Sequence, residues 1–535
     1  MKDFLWPVPN NPIIHGPKSN IAYVYIFTAI SLFILLIAGV NFVNITTAYA
    51  FKRMKEVGIR KVVGAQKRQL VKQFLGESLL MAIVSGVLAV FLFRVALPFY
   101  NQLSGKSMLF SQILVPENFA LLLAIVLFLG VLAGLYPSFF LAGFKPVDSI
   151  RGIKDPKSYA ARIRKGLVVF QFVISVFMIF STVTIYKQME YFRGKDLGFD
   201  KDQMVAIKLY GDLRRSFINS SKTVKAELMR HSAVSRVGAV SKLPGERCGY
   251  EEFRPEGTLD DQDLLNLRYV RVDEDYIETL GLTLKEVRSF ADMSPGKYAF
   301  IINEAAVRTL NLKDPVGKKA WHSDEGGVEI LGVLKDYHYA SLHNKIDPLV
   351  LDYRPNAANY MIVKIQGGNV PEALEHIKVK LNEIAPGHPL MFTFVDEFLN
   401  TLYRSEEVVS NIFKYFSLLT ILIACMGLFG LSIYSAELRI KEIGVRKVLG
   451  ASIPNIVLLL SKEFTKWVLL ACVFALPLAY YAMNQWLKNF AYRTSIGVEI
   501  FVLSALIAAL IAVITVSYQS VKTAVANPVD SLRYE

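Results

Sequence analysis

Lys55-Glu56-Val57-Gly58-Ile59-Arg60-Lys61-Val62-Val63-Gly64-Ala65 returns later in the chain as Lys441-Glu442-Ile443-Gly444-Val445-Arg446-Lys447-Val448-Leu449-Gly450-Ala451. Eight of the eleven positions are identical and the other three exchange one aliphatic residue for another. Each copy follows one long apolar run and precedes the next, so each reads as a short basic element between two membrane helices. Ile59, Val62 and Val63, like Val445, Val448 and Leu449, are spaced i, i+3, i+4 and form one apolar face of a helix. Arg60 and Lys61, or Arg446 and Lys447, point elsewhere, and Gly64 and Gly450 are stop signals. In the second copy Ser452 suits an N-cap, with Pro454 in the first turn of the helix that follows. A basic segment lying on anionic lipid would account for the charge. It would not account for the recurrence of the Gly and Glu positions.

The chain has 535 residues, 53% of them hydrophobic, and a net charge of +14. That apolar share exceeds the roughly 45–50% of ordinary soluble domains. The Lys and Arg cluster between apolar runs, as topology determinants do, which argues against a nucleic-acid partner. Three cysteines, two of them (Cys425 and Cys472) in apolar segments, provide no disulfide framework or metal cluster.

Apolar runs long enough to span, on the order of 20 residues each, occur at about 22–49, 78–98, 118–143, 166–187, 411–435, 465–487 and 499–519. They predict an integral membrane α-helical protein with about seven transmembrane helices. Gly130 and Gly134 form a small-xxx-small pair for helix packing. Arg94 is expected to snorkel to the interface. The basic loops 51–77, 144–165 and 436–463 are predicted cytoplasmic, which puts the polar segment 190–408 outside and the C-terminus inside.

A second repeat, Pro146-Val147-Asp148-Ser149-Ile150-Arg151 against Pro528-Val529-Asp530-Ser531-Leu532-Arg533, pairs two three-helix blocks. The predicted organisation has five parts. Residues 1–20 are a remnant of a preceding external domain, 21–152 the first three-helix block and 163–190 an extra membrane and stalk helix. Residues 191–407 are a mixed α/β external domain and 408–535 the second block. Only the second block is preceded by a helix and an external domain, so the repeat predicts an N-terminally shortened chain; a true seven-helix protein is the alternative. Within 191–407, strands are predicted at Met204 to Leu209 and Tyr360 to Ile365, and helices at 303–310 and 371–384. Residues 186–192 and 396–413 are predicted to extend the flanking helices outward.

No catalytic constellation is legible. Gly105-Lys106-Ser107 lacks the upstream Gly of a phosphate loop, and His338 and His343 beside Asp336 are not spaced as metal ligands. The expectation is a non-enzyme with no metal and no cofactor of its own. No charged residue lies deep in a span, so no ion path is expected.

With these residues in view, the chain resembles the FtsX/MacB-like family of ABC transporter permeases, in particular members with two FtsX-like domains. The resemblance rests on Tyr25-Ile26-Phe27 to Asn41-Phe42-Val43-Asn44 leading into the first motif copy, and on Tyr136-Pro137-Ser138. It rests equally on Ala424-Cys425-Met426-Gly427-Leu428-Phe429-Gly430-Leu431 leading into the second copy. Val272-Asp273-Glu274-Asp275-Tyr276, Asn303-Glu304-Ala305-Ala306-Val307 and Asp314-Pro315-Val316-Gly317-Lys318 resemble a MacB-type periplasmic core domain. The departures are the missing first helix and first external domain, and Val287 where the family pattern has Gly.

The resemblance implies a multi-pass permease of the bacterial inner membrane, with 191–407 periplasmic. It implies that Lys55 to Ala65 and Lys441 to Ala451 are coupling helices for a separate cytoplasmic ATPase, which would bind the ATP. Motion rather than a channel would transmit the work, for export or extraction of peptides, antibiotics or lipoproteins. A periplasmic adaptor or outer-membrane exit protein would be a further partner. The alternatives are a mechanical signalling protein acting on a cell-wall hydrolase or sensor, and an inactive remnant.

Overall fold

The computed structural model describes residues 21–52, 54–104, 107–143, 159–255, 264–286, 298–322, 326–367, 369–438 and 440–525. Residues 1–20, both Pro-Val-Asp-Ser segments and Val287 lie outside them. The chain divides into two compact units. One is helical and takes the chain up to Met189, then Glu406–Trp486 and the part from Ser495 on; the other takes Glu190–Ser405 and Leu487–Thr494.

The helical unit is built from helices that enclose each expected apolar run and extend beyond it. They are α1 (Ile21–Lys52), the short α2 (Met54–Val62), α3 (Lys67–Ser104), α4 (Pro116–Gly143) and α5 (Tyr159–Gly194). Residues 195–403 intervene before α11 (Arg404–Leu438), the short α12 (Ile440–Val448), α13 (Ile453–Leu487) and α14 (Val498–Val525). Among the described residues six helices are long and apolar enough to cross a membrane. The seventh expected span, 465–487, lies within α13, which is not one of the six. The apolar sequence of α13 is interrupted after its first turns by the charged residues Lys462, Glu463 and Lys466, and the helix carries Pro477 inside it. Leu80, Val84, Val87, Leu88 and Phe91 of α3 are all exposed, as side chains facing lipid must be. Arg94 places its guanidinium 4.9 Å over the ring of Phe110.

The two glycines singled out in α4 form its contact with α3. A Cβ at Gly130 would lie 2.8 Å from the Ala82 Cβ, and one at Gly134 would lie 2.7 Å from the Ser78 Cβ. Close helix approach in lipid depends on such residues, because apolar burial gives no preference for helix over lipid tail.

The second unit is an 11-stranded sheet with helices. Its strands are β1 (Met204–Lys208), β2 (Val234–Val240), β3 (Tyr250–Pro255), β4 (Leu265–Val272), β5 (Leu284–Glu286), β6 (Ala299–Asn303), β7 (Lys319–His322), β8 (Gly326–Leu334), β9 (Leu349–Tyr353), β10 (Tyr360–Ile365) and β11 (Phe392–Phe394). The pairing runs β11-β1-β10-β2-β4-β3-β7-β8-β6-β9, and β9 returns to pair with β4, closing a six-stranded ring. Phe253, Leu267, Phe300, Ile302, Ile330 and Val350 form a buried cluster contributed by strands of that ring.

On the open half of the sheet, Val205, Ile207, Val237, Met361 and Val363 pack with α6 (Gly211–Met229) and α9 (Val370–Ile384). Their neighbours Met204, Ala206 and Ile362 belong to a second core on the opposite face, the period-two alternation of a sheet covered on both sides. α7 (Tyr276–Thr279) follows β4 and packs on β2 and β10, and α8 (Glu304–Thr309) follows β6 and packs on the ring strands.

The motif residues of this unit are structural. Lys225 of α6 is buried and held by Asp273 and Asp275, each at 2.6 Å. Asn303 caps α8 by accepting from the Ala306 N–H, and its same oxygen accepts from the Leu349 N–H. Cys248, isolated in the polar part of the sequence, is a core residue whose thiol is pushed up to about 11 by burial.

One expected helix is divided. Residues 396–413 do not form a single outward extension. α10 (Val395–Leu402) ends at Tyr403, whose backbone (φ −106°, ψ 9°) leaves the helix before α11 begins. The Tyr403 hydroxyl accepts from the Leu342 N–H, and its ring packs against Phe192 and His343. Residues 487–494, which the sequence assigns to the second block, group with the α/β unit.

Replacing Gly134 with Leu is expected to cost about 1–3 kcal/mol through overpacking, read as a lower thermal midpoint of the detergent-solubilised chain. An unchanged midpoint would show that the α3–α4 contact is not close-packed.

Candidate functional site

α2 and α12 are the two copies of the repeated motif, and the structure gives them matching geometry. Glu56 pairs with Arg60 at 2.8 Å and Glu442 with Arg446 at 2.8 Å, both at i, i+4. Acid toward the N-terminus and base toward the C-terminus also suit the helix dipole. The two C-termini are closed alike. The N–H groups of Ala65 and Ala451 donate to the carbonyls of Arg60 and Arg446, each at 2.9 Å. Gly64 (φ +103°) and Gly450 (φ +91°) adopt the left-handed conformation that this cap needs.

Burial separates the motif residues into two groups. Val57 and Ile443 are 2% and 4% exposed, and Gly58 and Gly444 beside them are buried too. Ile443 packs on Ile456 and Leu460 of α13. The equivalent positions in the first copy, Leu70 and Phe74 of α3, are also buried. In the second copy this apolar pair anchors the short helix, and in both copies the Gly beside the aliphatic residue is buried with it.

The predicted apolar face is turned outward. Ile59, Val62 and Val63 are 60%, 65% and 82% exposed; Val445, Val448 and Leu449 are 49%, 67% and 80% exposed. Three large aliphatic side chains are thus exposed in the same pattern in both copies, forming on each an apolar patch larger than singly scattered surface residues make. Arg60 and Arg446 are exposed, while Lys61 and Lys447 are half-buried. Lys55 and Lys441 fall in the first turns of α2 and α12.

The sequence reading missed what lies beside the motif. Arg60 donates to the Gln73 side chain at 2.8 Å, and Gln73 donates to Glu77 at 3.1 Å, tying α2 to α3. Leu459 stands at the position matching Gln73 in the second copy and offers no such acceptor. Aligning the helices that follow the motif, rather than the motif alone, would have exposed this difference. Lys61 is pushed below its ordinary range by burial and then by neighbouring Lys67. His338 and His343 lie within the α/β unit, against Tyr492 and Phe490 respectively. Among the described residues no group of His, Cys, Asp and Glu is arranged to hold a metal.

Comparison with known proteins identifies the blocks around these helices. Residues 28–146 and 414–528 both match the family model for the FtsX-like permease C-terminal region. Curated relatives include a protein named macrolide export ATP-binding/permease protein MacB from Bdellovibrio bacteriovorus, 27% identical over 117 residues, which are 22% of this chain and 17% of that protein. The protein of the same name from Chlorobium phaeobacteroides is 34% identical over 111 residues, 20% of this chain and 16% of that protein. The matched stretch thus spans less than a fifth of these relatives. Among solved structures, the periplasmic region of MacB from Actinobacillus actinomycetemcomitans aligns with 38% of this chain and 94% of its own, at 14% identity and a TM-score of 0.28.

Replacing Gly450 with Ala is expected to cost the α12 cap about 1–2 kcal/mol, the penalty of a left-handed residue with a Cβ. Hydrogen exchange at the Leu449, Gly450 and Ala451 amides should then accelerate about 5- to 30-fold. Unchanged exchange would show that this cap does not hold the helix end.

Proposed function

We propose, from the premise that residues 28–146 and 414–528 are FtsX-like permease regions, that this chain is the membrane-spanning permease subunit of an ATP-binding-cassette transporter. α2 and α12 dock a separate cytoplasmic ATPase, and its hydrolysis cycle moves the α/β unit outside the membrane. The carrying observation is the duplicated outward apolar face on two short helices with matching anchors, ion pairs and caps.

The position of α12 favours a protein partner over lipid. Its anchor residues on α13, Ile456 and Leu460, precede the apolar run beginning at about 465 by about 14 Å and about 8 Å at 1.5 Å per residue. The headgroup layer on each side of a bilayer is only about 5–8 Å deep. A helix resting there stands in the cytoplasm on the predicted orientation, clear of the hydrocarbon that could otherwise cover Val445, Val448 and Leu449.

Transmission by movement is supported within the α/β unit. Phe192, at the end of α5, packs against Tyr403 at 5.2 Å and Phe490 at 5.4 Å, and His343 meets Phe490 at 5.0 Å. Phe490 belongs to the loop between α13 and α14, and Tyr403 immediately precedes α11. Three chain segments that continue into membrane helices therefore meet in one aromatic cluster. The Tyr492 hydroxyl of the same loop accepts from the Ile346 N–H. The relatives named for macrolide export suggest antibiotics or other exported compounds as the cargo class.

Val62→Asp with Val448→Asp should abolish co-purification of the ATPase in mild detergent while the chain still inserts and folds, since both sites are exposed. Full retention of the ATPase would remove these faces from the interface. Phe490→Ala should leave docking intact and lower transport at least tenfold. Normal transport in that variant would contradict transmission through the loop.

A further inference from the structure

We infer that the two docking sites are chemically unequal. The α2–α3 site holds its ATPase subunit through ion pairs to an acidic surface, and the α12–α13 site holds its subunit by burying apolar side chains. This rests on the docking reading above. The short helices are near-identical, so the difference lies in the first turns of the helices that follow them. Lys67, Arg68 and Lys72 of α3 are matched in the repeat by Ile453, Pro454 and Leu458 of α13. All six are exposed, Ile453 by 41% and Leu458 by 66%.

Among the described residues no carboxylate lies within ion-pair distance of Lys67, Arg68 or Lys72, whereas Arg60 next to them is already paired with Glu56. The first site therefore surrounds its apolar face with positive charge, and the second widens its apolar face by two aliphatic side chains. A surface of the first kind selects an acidic partner and is weakened by salt; one of the second kind is not. Lipid is the competing occupant for the cations. Lys67 and Arg68 precede position 78, where the apolar run of α3 begins, by about 16 Å and about 15 Å. Both lie beyond a headgroup layer of about 5–8 Å, so the partner protein is the better match.

The test uses the full chain in nanodiscs of phosphatidylcholine alone. The probe is the ATP-binding-cassette ATPase that co-purifies with it, added back in excess and counted by native mass spectrometry. At about 0.1 M salt the Debye length is about 10 Å, and at about 1 M it is about 3 Å. The expected count is two ATPase copies per chain at the lower salt and one at the higher. Lys67→Glu with Arg68→Glu should hold one copy at both; Lys67→Gln with Arg68→Gln is the milder substitute should the first not fold. Leu458→Asp should hold one copy at low salt and none at high salt.

Two copies at high salt, loss of both together, or wild-type counts in the charge variants would overturn the inequality. No ATPase at either salt would overturn the docking reading, and this inference with it. A salt effect seen only after phosphatidylglycerol is added would reassign the cations to lipid headgroups, which also overturns it.

Discussion

Each short motif helix is fixed by one buried aliphatic side chain, Val57 or Ile443, and everything outward of it follows from that anchor. With Ile443 seated on Ile456 and Leu460, the remaining aliphatic positions of α12 have no core left to enter. The Gly beside the anchor is buried with it, and the i, i+4 ion pair occupies the exposed flank. A left-handed glycine then turns the chain straight into the long helix, so the short helix is rigidly attached to the element it would move. The proposed mechanism needs that rigidity, because a frayed end would absorb displacement that a capped one passes on.

On the proposed mechanism the α/β unit is the body that receives the displacement. Its two cores and closed strand ring are packed at nearly every inward position, which makes a stiff body. The loop between α13 and α14 is bound into that body by Phe490 and Tyr492, alongside the end of α5 and the residue that precedes α11. The proposed transmission relies on these aromatic contacts, all of which lie within the α/β unit.

Much of this was legible in the sequence, for identifiable reasons. The apolar runs, the repeat and the small-xxx-small pair Gly130/Gly134 are period and composition signals, and the helices and the α3–α4 contact follow them. Tyr360–Ile365 was readable as a strand because four of its six residues are β-branched or aromatic. The break at Tyr403 was not readable, since Tyr is an ordinary helix residue and its displacement depends on Leu342 and His343, distant in sequence. The Arg60–Gln73 contact and the unequal surroundings of the two copies were hidden because they lie outside the conspicuous motif. That the apolar faces point outward could not be read from spacing, which gives a face but not its direction.

The most direct measurement is thiol protection on the two docking faces. Cys248, Cys425 and Cys472 would be replaced, and single cysteines placed at Val63 and Leu449, the most exposed aliphatic positions of the two copies. Labelling by a soluble maleimide would be timed with and without the ATPase. The account predicts that ATPase binding slows labelling at both positions by at least tenfold. Undiminished labelling at both, in a sample where the ATPase remains bound to the chain, would contradict it.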